Sequence, residues 1–214
     1  MRALLASAVV QFVLASASPA RLSVLRAAGL KPEVEVSDVD EDALLAAMPD
    51  ADAATKVTQL AAAKATCVAR RLDLDECVVL GCDSMLHVGG ALVGKPRDVA
   101  TARARWRAMA GATAELVTGH AVLRLADGGI DRVAEGHATT AVRFATPSDA
   151  ELEAYLTSGE PLAVAGAFTL DGLGGWFVEG IDGDPSNVIG ISLPLTRRLL
   201  AAVGVHVFDL WKKG

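Results

Sequence analysis

Strand-like and helix-like stretches alternate along the chain, and this order constrains the fold more than any other feature of the sequence. Val10 to Ala15 predicts a buried strand, and a helix from Pro19 to Ala28 follows it, with Ser18 as the N-cap. A long Ala-rich helix is predicted to run from its cap, Asp50, to about Leu72. We therefore expect all 214 residues to form one α/β domain without internal repeats.

The second half of the chain continues the alternation. Gly89-Gly90 predicts a two-residue hairpin turn. The segment from Gly166 to Pro194 is rich in glycine but carries aromatic and β-branched residues, so we expect loops and short strands that line a site. The other predicted elements are a strand at Cys77–Gly81 that ends at Asp83, strands at Met85–Val88 and Ala91–Val93, a helix capped by Asp98 and ended by Gly111, strands at Leu116–Leu125 and Ile130–Phe144, and a helix from Pro147 to Gly159.

The composition excludes several classes of protein. Apolar residues make up 52% of the chain, but Gly, Pro, Asp or Arg interrupts every run before the ~20 residues of a membrane-spanning helix. The net charge of −6 argues against a nucleic-acid polymer as partner. The three cysteines lack C-x-x-C spacing, which favours buried thiols in a reducing compartment. Met1 to Val13 resembles a signal sequence only faintly, so we expect a cytoplasmic protein.

The segment from Leu14 to Arg21 predicts an anion site. It brings two serine hydroxyls and a cation to the start of a helix, where free backbone N–H groups and the helix dipole attract anions. Arg21 lies one turn into this helix and could bind a phosphate in bidentate fashion. The alternative is that Ser18 only caps the helix and Arg21 is solvated.

Lys64 lies in the middle of the apolar face of the long helix, seven residues after Val57. A lysine in this position either extends its ammonium group to solvent or reaches an anion in a cleft. The spacing leaves both alternatives open.

Asp83 follows a run of apolar residues and should lie at the carboxyl end of a central strand, where open α/β sheets bind their ligands. A magnesium ion is one natural partner, because it is usually held by one or two carboxylates plus substrate phosphates. The alternative is a capping or turn aspartate. Glu41 belongs to an acidic run, and one carboxylate of this run could complete a metal site, although such runs are usually solvated. Lys95 lies in a loop, and an isolated loop lysine is also usually solvated.

Several catalytic signatures are missing. The sequence has no P-loop, no dinucleotide-binding glycine motif, no nucleophile elbow and no H-E-x-x-H zinc motif. Met85 stands where an aspartyl phosphatase would carry a second carboxylate after Asp83. The four histidines show no ligand spacing, which favours ordinary structural roles.

Short motifs occur in a fixed order along nearly the whole chain. Leu14-Ala-Ser-Ala-Ser-Pro-Ala-Arg21, Gly81-Cys-Asp-Ser84 and Gly94-Lys-Pro96 are similar to L-A-S-x-S-P-R-R, G-A-D-T and G-K-P. These are motifs of the Maf family of nucleotide pyrophosphatases, which the chain resembles. Further matches occur at Val39-Asp-Glu41, Ala63-Lys-Ala65, Met109-Ala-Gly111, Val117-Thr-Gly119, Tyr155–Pro161 and Gly183–Pro194.

The resemblance implies a mixed central sheet with flanking helices and two lobes around a nucleotide cleft. It implies that Asp83 is the general base or a metal-bound carboxylate, that Glu41 lies near the metal, and that the cofactor is Mg²⁺ or Mn²⁺. Homodimers are common in the family. The substrate-binding residues implied by the resemblance are Ser16, Arg21, Lys64, Ser84, Lys95 and Asp171.

Three positions depart from the family pattern. Ala20 replaces the first arginine of the Arg-Arg pair, Val164 replaces the lysine of K-A-G, and Asp171 stands where glutamine is common. Two cations are therefore missing from the expected pocket, which leaves substrate range and turnover open.

The residues and the resemblance together favour one function. It is hydrolysis of a standard or modified nucleoside triphosphate to monophosphate and pyrophosphate, by metal-assisted attack of water on the α-phosphorus. The rival hypothesis, which rests on the missing cations, is a nucleotide-binding regulator of cell division with little or no hydrolysis. Retention of Asp83, Lys64 and Lys95 speaks against the rival.

Overall fold

The computed structural model describes residues 10–211. Within this range the strands form one mixed sheet in the order β2-β1-β3-β5-β6-β7, with β4 paired to the end of β3. The pairings of β1 with β2 and β3 are parallel, and the others are antiparallel. The strands are β1 (Gln11–Leu14), β2 (Glu33–Val34), β3 (Glu76–Val88), β4 (Ala91–Val93), β5 (Thr113–Ala126), β6 (Gly129–Phe144) and β7 (Val178–Asp182).

Helices flank this sheet, so the predicted mixed α/β fold is confirmed. The α-helices in residues 10–211 are α1 (Pro19–Ala27), α2 (Glu41–Ala46), α3 (Ala53–Ala69), α4 (Val99–Met109), α5 (Asp149–Thr157), α6 (Pro185–Ile189) and α7 (Leu193–Ala202). The predicted N-caps Ser18 and Asp98 each accept a hydrogen bond from the backbone N–H three residues later. The first nine residues of the stretch from Met1 to Val13 lie outside the described residues, so the expectation about a signal sequence stays a prediction.

Two predicted helix starts are wrong. α3 begins at Ala53 because the carboxylate of Asp52, not that of Asp50, accepts a hydrogen bond from the Thr55 N–H at 2.7 Å. α5 begins at Asp149, two residues after Pro147, because Ser148 and Glu151 form a capping box.

β3 is longer than the predicted strand at Cys77–Gly81. It continues through Asp83 to Val88, because β5 pairs with it from Glu76 to His87. The predicted hairpin between β3 and β4 is confirmed, and both of its turn glycines have positive φ.

Helix α3 packs directly against two glycines of the sheet. A Cβ atom at Gly81 would overlap the Ala61 carbonyl, and one at Gly119 would overlap the Val57 carbonyl. Glycine at both positions therefore lets the helix backbone approach β3 and β5 closely. This approach determines which residues of α3 can reach β3.

The core lies on both faces of the sheet, and a further hydrophobic cluster surrounds α4. One face packs on α1 and α7, and the other packs on α3. A third cluster surrounds Trp106 of α4, whose ring makes edge contacts with Phe144, Tyr155 and Phe177. This cluster supports the segment from Gly166 to Pro194, which contains β7, 3₁₀ turns and the unpredicted helix α6.

None of the helices in residues 10–211 combines the length and the apolar character that crossing a bilayer requires. Cys77 and Cys82 are buried free thiols and Cys67 is partly buried, as the cysteine spacing suggests.

Candidate active site

The site begins where β1 ends. The last parallel hydrogen bond between β1 and β3 joins the Ala15 N–H to the Leu80 carbonyl at 2.8 Å, and on that side β3 is next paired at Leu86, where β4 begins to pair with it. Asp83 was predicted at the carboxyl end of its own strand, and this is wrong. It lies in the interior of β3, beyond the carboxyl end of β1, because the antiparallel strand β5 extends β3.

Asp83 and Lys64 form a buried ion pair. The Lys64 Nζ atom lies 2.6 Å from Asp83 Oδ1 and 2.8 Å from Glu41 Oε1. The two buried residues are only 8% and 6% exposed, so Lys64 does not extend to solvent. Of the two alternatives that the spacing left open, the ammonium group reaches an anion, and this anion belongs to the protein. Glu41, at the start of α2, is half-exposed and is the third charged group of this cluster, after Lys64 and Asp83.

Burial and neighbouring charges have opposite effects on the pKa of the Asp83 carboxyl. Burial raises its pKa above the ordinary aspartate value, and the positive charges of Lys64 and Arg21 oppose this rise. Because the pKa is raised on balance, the Asp83 carboxylate is a stronger proton acceptor than a solvated aspartate, and this gain comes from burial and not from the ammonium group.

Arg21 ties three segments together. Its Nε donates to the Gly190 carbonyl at 2.8 Å, and its Nη1 donates to Ser16 Oγ at 3.0 Å and to the Cys82 carbonyl at 2.8 Å. Its Nη2 donates to Ser84 Oγ at 3.0 Å. Arg21 is therefore not a freely solvated residue. One of its five N–H groups remains, so the predicted bidentate contact with a phosphate would require some of these bonds to break.

Ser84 belongs to a buried polar chain behind Arg21. Its hydroxyl lies 3.0 Å from Thr118 Oγ1 on β5, and Thr118 reaches the carbonyl of Asn187 on α6 at 3.4 Å. The Asn187 amide in turn donates to the Leu116 carbonyl and to Thr140 Oγ1. This chain fixes the position of the Arg21 guanidinium relative to the sheet.

Arg21, Glu41, Lys64, Asp83 and Ser84 border a cleft of roughly 1400 Å³. All of the sequence-predicted site residues border it, including Lys95 and Asp171. Ala20 and Val164, the two positions without the family's cations, also border it. The predicted residues are thus brought together, although nothing in the geometry assigns a role to Asp171.

Sequence reasoning missed two residues that shape the cleft. The first is Glu160, which fixes the loop from Thr169 to Gly174 at the cleft. Its carboxylate accepts hydrogen bonds from the backbone N–H groups of Leu173 and Gly174 at 3.0 Å and from the hydroxyls of Tyr155 and Thr169. Its place in the Gly-Glu-Pro motif was a signal that could have indicated this role. The second is Arg105 on α4, whose Nη1 donates to the carbonyl of Gly94 at 2.6 Å.

The carboxylates suit a metal ion that is shared with a substrate. No group of three or more His, Cys, Asp or Glu side chains that could hold a metal occurs in residues 10–211. Asp83 and Glu41 approach each other through Lys64, and Asp83 uses only Oδ1 in this contact. Two carboxylates are too few to enclose a metal ion by themselves. They could hold Mg²⁺ or Mn²⁺ if phosphate oxygens and water supplied the other ligands.

The expected structural role of the histidines fits His120. This residue is fully buried, its Nε2 accepts from the Ser192 N–H at 2.8 Å, and its Nδ1 lies 3.1 Å from the Thr118 carbonyl. Burial lowers its pKa to about 4. His120 therefore joins β5 to the start of α7 as a neutral ring.

A family model described as a Maf-like protein matches residues 11–203. The chain belongs to this family. The matched span contains every residue of the site, from Ser16 to Asp171, so the resemblance inferred from short motifs is confirmed.

Close relatives cover nearly the whole Maf-like chain. The nucleoside triphosphate pyrophosphatase of Rhodococcus jostii (strain RHA1) is 63% identical over 205 residues, which cover 94% of this chain and 95% of that protein. The protein of the same name from Nocardia farcinica (strain IFM 10152) is 62% identical over 94% and 96% of the two chains. A third, from Saccharopolyspora erythraea, is 58% identical over 94% and 97%.

Proposed function

We propose that this chain is a nucleoside triphosphate pyrophosphatase, which converts a nucleoside triphosphate to the monophosphate and pyrophosphate. The observation that carries the proposal is the buried Lys64–Asp83 pair at the edge of a cation-lined cleft large enough for a nucleotide. The names of relatives that are 58% to 63% identical support the same activity.

Asp83 acts as the general base in this proposal. Lys64 holds one carboxylate oxygen, and the other accepts a proton from a water molecule in the cleft. The oxygen of this water attacks the α-phosphorus, the bond from the α-phosphorus to the bridging oxygen breaks, and pyrophosphate leaves with that oxygen. The Ala20 N–H at the start of α1 and the hydroxyl of Ser16 face the α-phosphate.

A divalent cation, Mg²⁺ or Mn²⁺, is part of the proposal. Asp83 and Glu41 would hold it together with the substrate phosphates, and it would neutralise their charge and orient them for attack. Lys64 then keeps the two carboxylates close together.

The nucleoside end of the substrate faces the opposite wall of the cleft. Leu162, Phe168 and Leu170 line this wall with apolar surface, and Glu160 fixes the backbone from Thr169 to Gly174. An apolar wall with ordered backbone groups suits a nucleobase, which presents flat faces and polar edges.

Product analysis tests the proposed function. The purified chain is incubated with a panel of standard and modified nucleoside triphosphates and magnesium, and the products are separated by anion-exchange chromatography. Monophosphate and pyrophosphate in equal amounts are expected, without a diphosphate intermediate. Asp83→Asn should lower turnover by on the order of a hundredfold or more, whereas the matched variant of the exposed Asp73, Asp73→Asn, should not.

The regulator hypothesis remains the rival, and the same experiment separates the two. Metal-dependent nucleotide binding without any product would favour the regulator, and accumulation of diphosphate with inorganic phosphate would contradict both. The proposed activity fits an enzyme of the cytoplasm. Sedimentation of the purified chain would test the homodimer that the family suggests.

A further inference from the structure

Arg105 carries a positive charge at the cleft without an acidic partner. It lies on α4 and borders the cleft beside Lys95. Among residues 10–211 no carboxylate lies within ion-pair distance of it, whereas Arg103 of the same helix pairs with Glu153 at 2.5 Å. Partial burial lowers the pKa of the Arg105 guanidinium, because desolvation disfavours its charged form. A partly desolvated and unpaired guanidinium is an attractive site for an anion.

The hydrogen bond of Arg105 to Gly94 places it near Val164, where this chain lacks the family's lysine. The Gly94 carbonyl that accepts from Arg105 also accepts from the Gly166 N–H at 3.1 Å. Gly166 is two residues from Val164, where the family motif has lysine. Next to Arg105, the Trp106 indole donates to the Ala167 carbonyl at 2.7 Å. The helix and the segment around Val164 are therefore held together at the cleft wall.

We propose that Arg105 replaces, from α4, the cation missing at Val164, and that Arg105 and Lys95 together bind the outer phosphates that leave as pyrophosphate. This inference rests on the proposed function. One N–H of Arg105 is used on the Gly94 carbonyl, so four remain for phosphate oxygens, and this carbonyl holds the guanidinium in place. Lys95 follows Gly94 in the chain and brings a second charge to the same region.

The placement of this charge suits the reaction. Negative charge develops on the outer phosphates as the bond to the α-phosphorus breaks, and cations fixed beside them stabilise that charge. Lys64 cannot serve this purpose while it is paired with Asp83 and Glu41. Arg105 and Lys95 also border the cleft and, among the described residues, neither is held in an ion pair.

Calorimetric titration of inorganic pyrophosphate and of a nucleoside monophosphate, both with magnesium, tests the proposal. Arg105→Met should weaken pyrophosphate binding by about 10- to 100-fold, the loss expected for hydrogen bonds to a charged group. Binding of the monophosphate should change less than about twofold, because its single phosphate faces α1. The control is Arg107→Met: Arg107 is exposed on the same helix, two residues away and outside the cleft lining.

A rescue experiment distinguishes a role of Arg105 in binding pyrophosphate from a purely structural role. Val164→Lys should restore most of the lost pyrophosphate affinity in the Arg105→Met background and add little to the parent. If Arg105 only braces the Gly94 carbonyl, Arg105→Met should lower the melting temperature and weaken both ligands alike, without rescue. That result, or behaviour like that of Arg107→Met, would overturn the proposal.

The two proposals fail in different ways. If the parent hydrolyses triphosphates but Arg105→Met binds pyrophosphate normally, only the role of Arg105 is wrong. If the parent forms no product but binds pyrophosphate in an Arg105-dependent manner, the proposed function is wrong and the anion site stands.

Discussion

Lys64 is the residue for which the sequence left two interpretations, and the structure separates them. Its ammonium group contacts Asp83 and Glu41 rather than solvent. Without this group, the buried Asp83 carboxyl would face a second carboxylate with no cation between them.

We therefore expect Lys64→Met to lower turnover by on the order of a hundredfold and to cost about 3 kcal/mol in the free energy of unfolding, because it breaks a buried ion pair. Urea unfolding and steady-state kinetics measure the two effects. The matched control is Lys31→Met at an exposed position. Unchanged stability and turnover in Lys64→Met would mean that the pair is neither structural nor catalytic.

His120 gives the stability of the fold a pH dependence. Its pKa is about 4 in the folded chain, below the ordinary value of 6.5, because burial disfavours the charged ring. The folded state therefore favours the neutral ring, and its contribution is fully present above pH 6.5. It is lost as the pH falls from about 6.5 to about 4, by a total of about 3 kcal/mol.

Urea unfolding at pH 7.5 and pH 5 measures this contribution. His120→Gln should show a smaller loss of stability between the two pH values than the parent, whatever its stability at pH 7.5. His137→Gln, at an exposed position, should lose as much as the parent. An equal loss in the parent and both variants would show that His120 does not carry the effect.

At the scale of elements, the close packing of α3 on β3 and β5 decides whether the site forms. Gly81 lies two residues before Asp83 on the same face of β3, directly under the helix that carries Lys64. Any displacement of this helix would separate the two charged groups.

Gly81→Ala should therefore displace α3, cost about 1–3 kcal/mol in stability and reduce turnover. The control is Gly136→Ala on β6, because a Cβ atom there would meet the nearest atom, Leu195 Cδ1, at an ordinary 3.5 Å. Circular dichroism melting and turnover of both variants check the expectation. Equal behaviour of the two variants would show that the close approach at Gly81 is not required.

Sequence reasoning predicted the elements that depend on local chemistry. Ser18 and Asp98 cap their helices through a spacing of three residues, and this spacing is visible in the sequence. The length of β3 was not predictable in this way, because it depends on pairing with β5, which begins 25 residues after β3 ends. The predicted cap of α3 was wrong by two residues, because Asp52 and not Asp50 accepts the hydrogen bond from the first turn.

The site was predictable as a set of residues but not as a set of contacts. The motifs identified Lys64, Asp83 and Arg21, yet their partners lie far along the chain, as the bond from Arg21 to the Gly190 carbonyl shows. Arg105 was missed because its significance comes only from the position of α4 beside Gly94.

At the scale of the whole molecule, the distribution of charge matters more than its sum. The chain carries a net charge of −6, which disfavours polyanionic partners, but around one cleft six cations slightly outnumber five carboxylates, Glu41, Asp42, Asp83, Glu160 and Asp171. A small anion can therefore bind where a nucleic-acid polymer would be repelled. The cations that border the cleft are Arg21, Lys56, Lys64, Lys95, Arg97 and Arg105.

The central claim is that water attacks the α-phosphorus, next to Asp83, while the outer phosphates leave together. Hydrolysis of a nucleoside triphosphate in ¹⁸O-labelled water, followed by mass spectrometry of both products, tests it most directly. We expect one labelled oxygen in the monophosphate and none in the pyrophosphate. Label in the pyrophosphate, or in inorganic phosphate released beside a diphosphate, would place the attack at another phosphorus and rule out this mechanism.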